Sequence, residues 1–151
     1  MSENWKRTHH NDALNETHIG KEVVLNGWVA SLRDHGGLIF ADLRDRWGIT
    51  QIVFIPEENP SLADKAKSLK MESVVGVRGK VFERPAEMIN AKLSTGEIEV
   101  HIHEFEIFNE CKPLPFMIKD PCDALEETRF KYRYLDLRRP SMKKNLMLRH
   151  K

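Results

Sequence analysis

The order of local patterns along the chain constrains its fold more than any single residue does. Three short β-rich runs are followed by one helical run and then by two more β-rich runs, each bounded by glycine, proline or aspartate. Val23, Val24, Leu25, Trp28 and Val29 make the first run, and Gly27 inside it marks a bulge or sharp bend of the kind that curls a small barrel. Asp34-His35-Gly36-Gly37 is a hairpin turn. In the second run, residues 38–44, strand alternation sets Leu38, Phe40, Asp42 and Arg44 on one face and Ile39, Ala41 and Leu43 on the other. The second set reads as core, the first as a partly exposed working face. Arg46-Trp47-Gly48 turns the chain into the third run, residues 49–55, which stops at Pro56.

Residues 60–71 carry Leu62, Ala66 and Leu69 at helical spacing, with Lys65, Lys67 and Lys70 on the solvated side. The fourth run covers residues 73–82, and the fifth, residues 97–108, alternates clearly; a turn-rich loop from Arg84-Pro85 to Ser94-Thr95-Gly96 joins them. This order predicts an all-β core, a five-stranded Greek-key OB-fold barrel with one helix between strands 3 and 4. In that fold strands 2 and 3, with the loops joining strands 1 to 2 and 4 to 5, form the binding face, which is where His35, Phe40, Gln51 and the loop after Arg84 fall.

Residues 1–19 are polar and lack a sustained period, so they read as a mobile arm preceding a barrel of residues 20–111. Lys112-Pro113-Leu114-Pro115-Phe116 is a stiff connector that, with Pro121, opens a linker and hinge over residues 112–140. A helix is expected from Asp123 onward, with Asp123 or Thr128 as its cap. Residues 141–151 read as the start of a further helix belonging to a domain that would follow. The opening residues lack the apolar stretch of a signal peptide and no run is long enough to span a membrane, which together predict a cytoplasmic protein. Cys111 and Cys122 have no partner spacing for zinc or a disulfide framework and read as separate thiols. With 24 basic against 23 acidic residues, any contact with nucleic acid has to be local and shaped.

A cation and an aromatic beside a hairpin suit an unpaired base, because every base has a π-face and every nucleotide a negative charge. Phe40 is a candidate platform, with a core phenylalanine as the alternative. Gln51 has the donor and acceptor needed to read a pyrimidine edge, or is simply an exposed strand glutamine. Arg33 suits a base or phosphate contact, or an ion pair with Asp34 or Asp45, and Arg84 at the mouth of the last loop is a similar candidate. Asp42, Arg44, Asp45 and Arg46 read as a structural salt-bridge cluster. His101 and His103 share a strand face, but two imidazoles without a third ligand read as strand surface rather than a metal site.

From Ile19 onward the chain resembles the anticodon-binding domain and hinge of bacterial aspartyl-tRNA synthetases. The likeness is carried by Gly27-Trp28-Val29, Arg33-Asp34, Leu38-Ile39-Phe40, Asp42-Leu43-Arg44-Asp45, Thr95-Gly96-Glu97-Ile98-Glu99-Val100 and Lys131-Tyr132-Arg133-Tyr134-Leu135-Asp136-Leu137-Arg138-Arg139-Pro140. The Tyr-Arg-Tyr-Leu-Asp-Leu core is shared with lysyl enzymes, whereas the Arg138-Arg139-Pro140 ending and the run from Thr95 tilt it to the aspartyl branch. The resemblance implies that Phe40 stacks under the central anticodon uridine, that Gln51 contacts the same base, and that Glu99 accepts from the first base, a guanine or its modified form. His35 and Met88 stand where strongly aspartate-specific members tend to carry leucine and asparagine, near the third anticodon base. That departure implies a non-discriminating parent that places aspartate on both aspartate and asparagine tRNA.

In such a parent, ATP and Mg²⁺ serve a class II catalytic domain that starts after this point, where dimerisation also chiefly resides. The chain alone is therefore expected to be an inactive, monomeric RNA-binding module without catalytic, metal or cofactor residues. Two alternatives remain: a stand-alone OB-fold protein binding single strands without sequence preference, against which the hinge motif argues, and the equivalent domain of a lysyl or asparaginyl ligase.

Overall fold

The computed structural model describes residues 5–150. Residues 1–4 and 151, which fall in the expected arm and last helix, lie outside the described residues. The chain forms two compact units, residues 1–111 and 112–151.

In the first unit five strands, β1 (Glu22–His35), β2 (Leu38–Arg44), β3 (Ile49–Phe54), β4 (Val74–Glu83) and β5 (Ile98–Asn109), close into a barrel in the order β1-β2-β3-β5-β4, with β4 returning to β1. All pairings are antiparallel except β3 with β5, where Ile52 faces Val100 and Val53 faces His101. Inward-facing Leu25, Val29, Ile39, Leu43, Ile52, Phe54, Val77, Ile98 and Val100 are fully buried and fill the barrel. Each contributes about 1.5–3 kcal/mol before the entropy of ordering is subtracted. The expected alternation in β2 is borne out: Ile39, Ala41 and Leu43 are buried, while Leu38, Phe40, Asp42 and Arg44 are partly exposed.

The hairpin turn is tighter than the sequence suggests. His35 still pairs with Leu38, so Gly36 and Gly37 alone make the loop, at φ +65° and +96°, values that suit residues without a Cβ. Asp34 Oδ1 accepts from the Gly37 N–H at 2.8 Å. The bulge in β1 falls not at Gly27 but between Val29 and Ser31, leaving Ala30 without a ladder partner. Gly27 answers a different need: a Cβ there would lie 2.5 Å from the Arg44 carbonyl oxygen, so β1 and β2 approach too closely for any side chain.

Helix α1 (Pro60–Lys67) lies between β3 and β4, as expected, but ends four residues before Met71. Asn59 caps it, its side chain accepting from Leu62 N–H at 3.1 Å, and Ala63 and Ala66 are buried. The chain then passes through Glu72 at φ +64°, where the Arg44 guanidinium holds both carboxylate oxygens at 2.7 Å.

Residues 5–19 differ from the mobile arm the sequence suggests. Trp5, Asn11 and Leu14 are buried, Thr8 exchanges hydrogen bonds with Val24, and Asn15 caps a short 3₁₀ turn over Glu16–His18. Polar composition hides this because only two large apolar side chains, Trp5 and Leu14, provide the anchorage.

In the second unit, α2 (Glu126–Lys131) and α3 (Arg133–Asp136) replace the single helix expected from Asp123, the break falling at Tyr132, and neither Asp123 nor Thr128 caps them. Helix α4 (Pro140–His150) follows. Phe116, Ile118 and Leu135 form a small core with Leu114, Cys122, Ala124 and Tyr132 around it. The fully buried Asp136 carboxylate gathers Arg129 Nε at 3.1 Å, Arg133 Nη1 at 3.0 Å and Arg139 Nε at 2.7 Å. Arg139 also pairs with Asp120, which in turn accepts the Ser141 N–H at the start of α4 at 2.8 Å. Among the described residues no helix is long and apolar enough to cross a membrane.

Candidate nucleic-acid interface

The bulge at Ala30 decides which way Arg33 faces. Without it, Ser31 and Arg33 would share the inward face of Val29; the extra residue turns them outward and sends Leu32 toward the core. Arg33 then pairs with Phe40 and Ser31 with Asp42 across β2, Asp42 with Gln51 across β3, and Glu99 with Phe82 across β4. One outer surface therefore runs over all five strands and carries Arg33, Phe40, Gln51 and Glu99.

These side chains are linked. Arg33 Nη2 donates to Asp42 Oδ1 and to Gln51 Oε1, each at 3.3 Å, and Gln51 Nε2 donates to Glu99 Oε2 at 3.0 Å. Because arginine only donates and a carboxylate only accepts, this chain of bonds fixes which end of the Gln51 amide is oxygen. Ser31 Oγ donates to the second oxygen of Asp42 at 2.5 Å. Phe40 is half-buried, and the exposed His35 ring meets it edge to face at 5.7 Å between centroids. An aromatic platform thus stands beside a cation and an amide–carboxylate pair, the parts needed to hold and read an unpaired base.

Two expectations shift. Gln51 is not an openly exposed strand residue but only 7% exposed, its amide engaged at both ends. Arg84 is buried rather than standing at the loop mouth: Nε donates to the Ile98 carbonyl at 2.9 Å and Nη1 reaches the Met88 carbonyl at 3.5 Å. Burial pulls its guanidinium below the ordinary arginine range, against the opposing fields of Glu99 and Asp42. Nη2 is buried with no hydrogen-bond partner among the described residues. Met88, 58% exposed in a 3₁₀ turn (Ala86–Met88), is tied to the set through Arg84. Thr95 anchors the far end of this loop, its hydroxyl donating to the Ile49 carbonyl at 2.6 Å.

The charged run after Phe40 does not form one cluster. Asp42 joins Arg33, Arg44 joins Glu72, Asp45 accepts from the Trp47, Gly48 and Asn11 N–H groups, and the Arg46 guanidinium lies 4.8 Å from the centre of the Trp47 ring. Asp42 therefore belongs to the candidate site rather than to the scaffold. Two further members escape sequence reasoning. His101 Nε2 lies 2.9 Å from Glu99 Oε1, and its ring stacks on Phe82 at 4.2 Å and 24°. His103 is the unpaired residue of a bulge in β5 and turns instead to Glu22, 3.5 Å away. The pairing of His101 with Glu99 two residues before it was the legible signal.

A closed five-stranded barrel with a helix after its third strand and an outer face that sets an aromatic ring beside linked polar side chains defines a nucleic-acid-binding OB module. The sequence profile described as OB-fold nucleic acid binding domain matches residues 23–108, and the chain belongs to that family. It is 53% identical over 147 residues to an aspartate–tRNA(Asp/Asn) ligase of Geotalea uraniireducens, a match covering 97% of this chain and 25% of the relative. It is also 53% identical over 146 residues to the protein of the same name from Desulfotalea psychrophila, covering 97% of this chain and 24% of that relative. The chain thus spans about a quarter of the length of these relatives. Among solved structures, asparaginyl-tRNA synthetase from Pyrococcus horikoshii, complexed with asparaginyl-adenylate, superposes with a TM-score of 0.73 at 30% identity, covering 87% of this chain and 29% of that one.

Proposed function

We propose that this chain is the anticodon-reading part of an aspartate–tRNA ligase that acts on both aspartate and asparagine tRNA in the cytoplasm. The observation that carries the reading is the linked outer surface itself, where Phe40 stands beside the chain of bonds from Arg33 through Gln51 to Glu99. Phe40 holds the central anticodon base by stacking, which reads no edge. Gln51 and Glu99 supply edge-specific acceptors and donors, Arg33 adds positive charge to the same surface, Arg84 adds it from a buried position behind the loop, and His35 and Met88 flank the third base. The names of the two curated relatives support a parent that charges both tRNAs. ATP and Mg²⁺, which activate the amino acid in ligases of this kind, are assigned to the part of the parent protein outside this chain, as is any pairing of two copies.

A carboxylate on an RNA-binding surface repels phosphate and favours only a base with N–H donors, so Glu99 makes binding selective rather than merely strong. The test is a fluorescence titration of the 151-residue chain with an aspartate anticodon stem-loop and with versions altered at each anticodon base, at fixed salt because phosphate contacts are salt-sensitive. Selective loss at the altered bases is expected, and equal binding to all versions overturns the proposal in favour of a barrel without sequence preference. The asparagine stem-loop is expected to bind nearly as well as the aspartate one. A preference of about a hundredfold, near 2.7 kcal/mol, would instead assign the parent to aspartate tRNA alone.

A further inference from the structure

Glu99 is held at both oxygens. Gln51 Nε2 donates to Oε2 at 3.0 Å, and His101 Nε2 lies 2.9 Å from Oε1. Since a carboxylate only accepts, the imidazole must carry its proton on Nε2 in this contact. A carboxylate offers roughly four acceptor sites, so one protein donor on each oxygen still leaves acceptor capacity on both. That capacity suits a ligand edge with two neighbouring N–H donors, such as N1 and N2 of guanine, provided the plane of the carboxylate is fixed. With Gln51 alone, the group could still turn about the one tethered oxygen. His101 supplies the second tether.

The imidazole is itself held. Its ring stacks on Phe82 at 4.2 Å between centroids, and the strand register explains why: Phe82 is the cross-strand partner of Glu99, and Lys80 that of His101. Two adjacent cross-strand pairs of β4 and β5 thus place a carboxylate, an imidazole and a phenyl ring in contact on the outer surface. Phe82 remains 38% exposed there. None of these three side chains belongs to the apolar core of the barrel, and Glu99, 8% exposed, is reached from the outer face alone.

We infer that His101 is a positioning residue for base reading by Glu99, with Phe82 as its backing: the stacked imidazole sets the plane of the Glu99 carboxylate so that both oxygens accept from a purine edge carrying two N–H donors. This rests on the assignment of Glu99 to the first anticodon base.

The experiment compares two stem-loops, with guanine or adenine at the first anticodon position, bound to the 151-residue chain and its variants. His101→Phe keeps the stack and removes the donor. It is expected to lower the guanine-to-adenine preference about tenfold, near 1.4 kcal/mol, through weaker guanine binding, with adenine binding unchanged within about twofold. His101→Gln restores a donor without the ring and is expected to recover part of the preference; Phe82→Ala, which frees the imidazole, is expected to lose part of it. An unchanged preference in His101→Phe overturns the inference, as does equal weakening toward both loops, the signature of a merely structural role. Glu99→Gln separates the two layers. If it leaves the preference intact, the assignment of Glu99 fails and this inference falls with it; if it abolishes the preference while His101→Phe does not, only the role of His101 fails.

Discussion

At the scale of single residues, the proposed site divides into one group that grips and several that discriminate. Phe40 offers a π-face, which every base can use, so Phe40→Ala is expected to weaken binding to all anticodon stem-loops by a similar factor. Stacking on an aromatic is worth about 1–3 kcal/mol per base, or roughly tenfold to a hundredfold in affinity, and the titration described above reads it directly. An unchanged affinity would remove Phe40 from the site. The exposure of Phe40 was legible in the sequence because period-two alternation in β2 admits only one partition of its residues. The engagement of Gln51 and the burial of Arg84 were not, since both depend on partners 48 and 14 positions away: Glu99, brought near by the parallel pairing of β3 with β5, and the Ile98 carbonyl, brought near by the pairing of β4 with β5. The spacing of His101 two residues after Glu99 was legible, but its stacking was not, because its partner ring, Phe82, comes from the neighbouring strand.

At the scale of elements, the number and order of strands and the placing of the helix followed from turn residues and periodicity, whereas the irregularities did not. A bulge has no residue-type signature strong enough to place it, and the glycine in β1 points to the wrong position. The bulge belongs to Ala30 and re-aims Arg33, while Gly27 exists for close packing. The second role carries a prediction. A methyl group at position 27 would meet the Arg44 carbonyl oxygen at 2.5 Å, and that atom is backbone at the end of β2, where Arg44 is paired to both β1 and β3, and cannot rotate away as a side chain would. Gly27→Ala is therefore expected to destabilise the barrel by about 2 kcal/mol, within the range of substitutions that force a buried backbone apart. A denaturant titration would register this as a lower midpoint at unchanged slope. A midpoint within error of the unaltered chain would mean that β1 and β2 can separate at no cost.

At the scale of the whole molecule, the two units rest on different physics. The barrel is an apolar core with polar fittings, but the second unit has only Phe116, Ile118 and Leu135 at its centre and relies on Asp136, the acceptor for three arginines. The Tyr-Arg-Tyr-Leu-Asp-Leu-Arg-Arg-Pro run, legible in the sequence only as a resemblance, is thus a polar tie whose third arginine, Arg139, also reaches Asp120. Burial of Asp136 works to raise its pKa, yet the hydrogen bonds from Arg139 and Arg129 prevail and hold the carboxyl below the usual aspartate range. Asp120 is likewise held low, chiefly by the Ser141 backbone N–H. The sign follows from linkage. A carboxyl whose folded pKa is depressed adds stability that is complete above its unfolded value, about 3.9 for aspartate, and is lost as pH falls through the folded value. Amide protection across residues 126–150, taken as exchange relative to the intrinsic rate at each pH, is therefore expected to hold down to about pH 4 and to fall below it. Asp136→Asn is expected to cost about 3 kcal/mol, because it removes the buried charge that Arg129, Arg133 and Arg139 share and leaves Arg139 with Asp120 as its one carboxylate partner among the described residues, and to blunt that acid dependence. Exchange in the barrel strands serves as the internal control. If Asp136→Asn leaves protection of residues 126–150 unchanged at neutral pH, the small apolar core holds the second unit by itself and the arginine tie has no part in its stability.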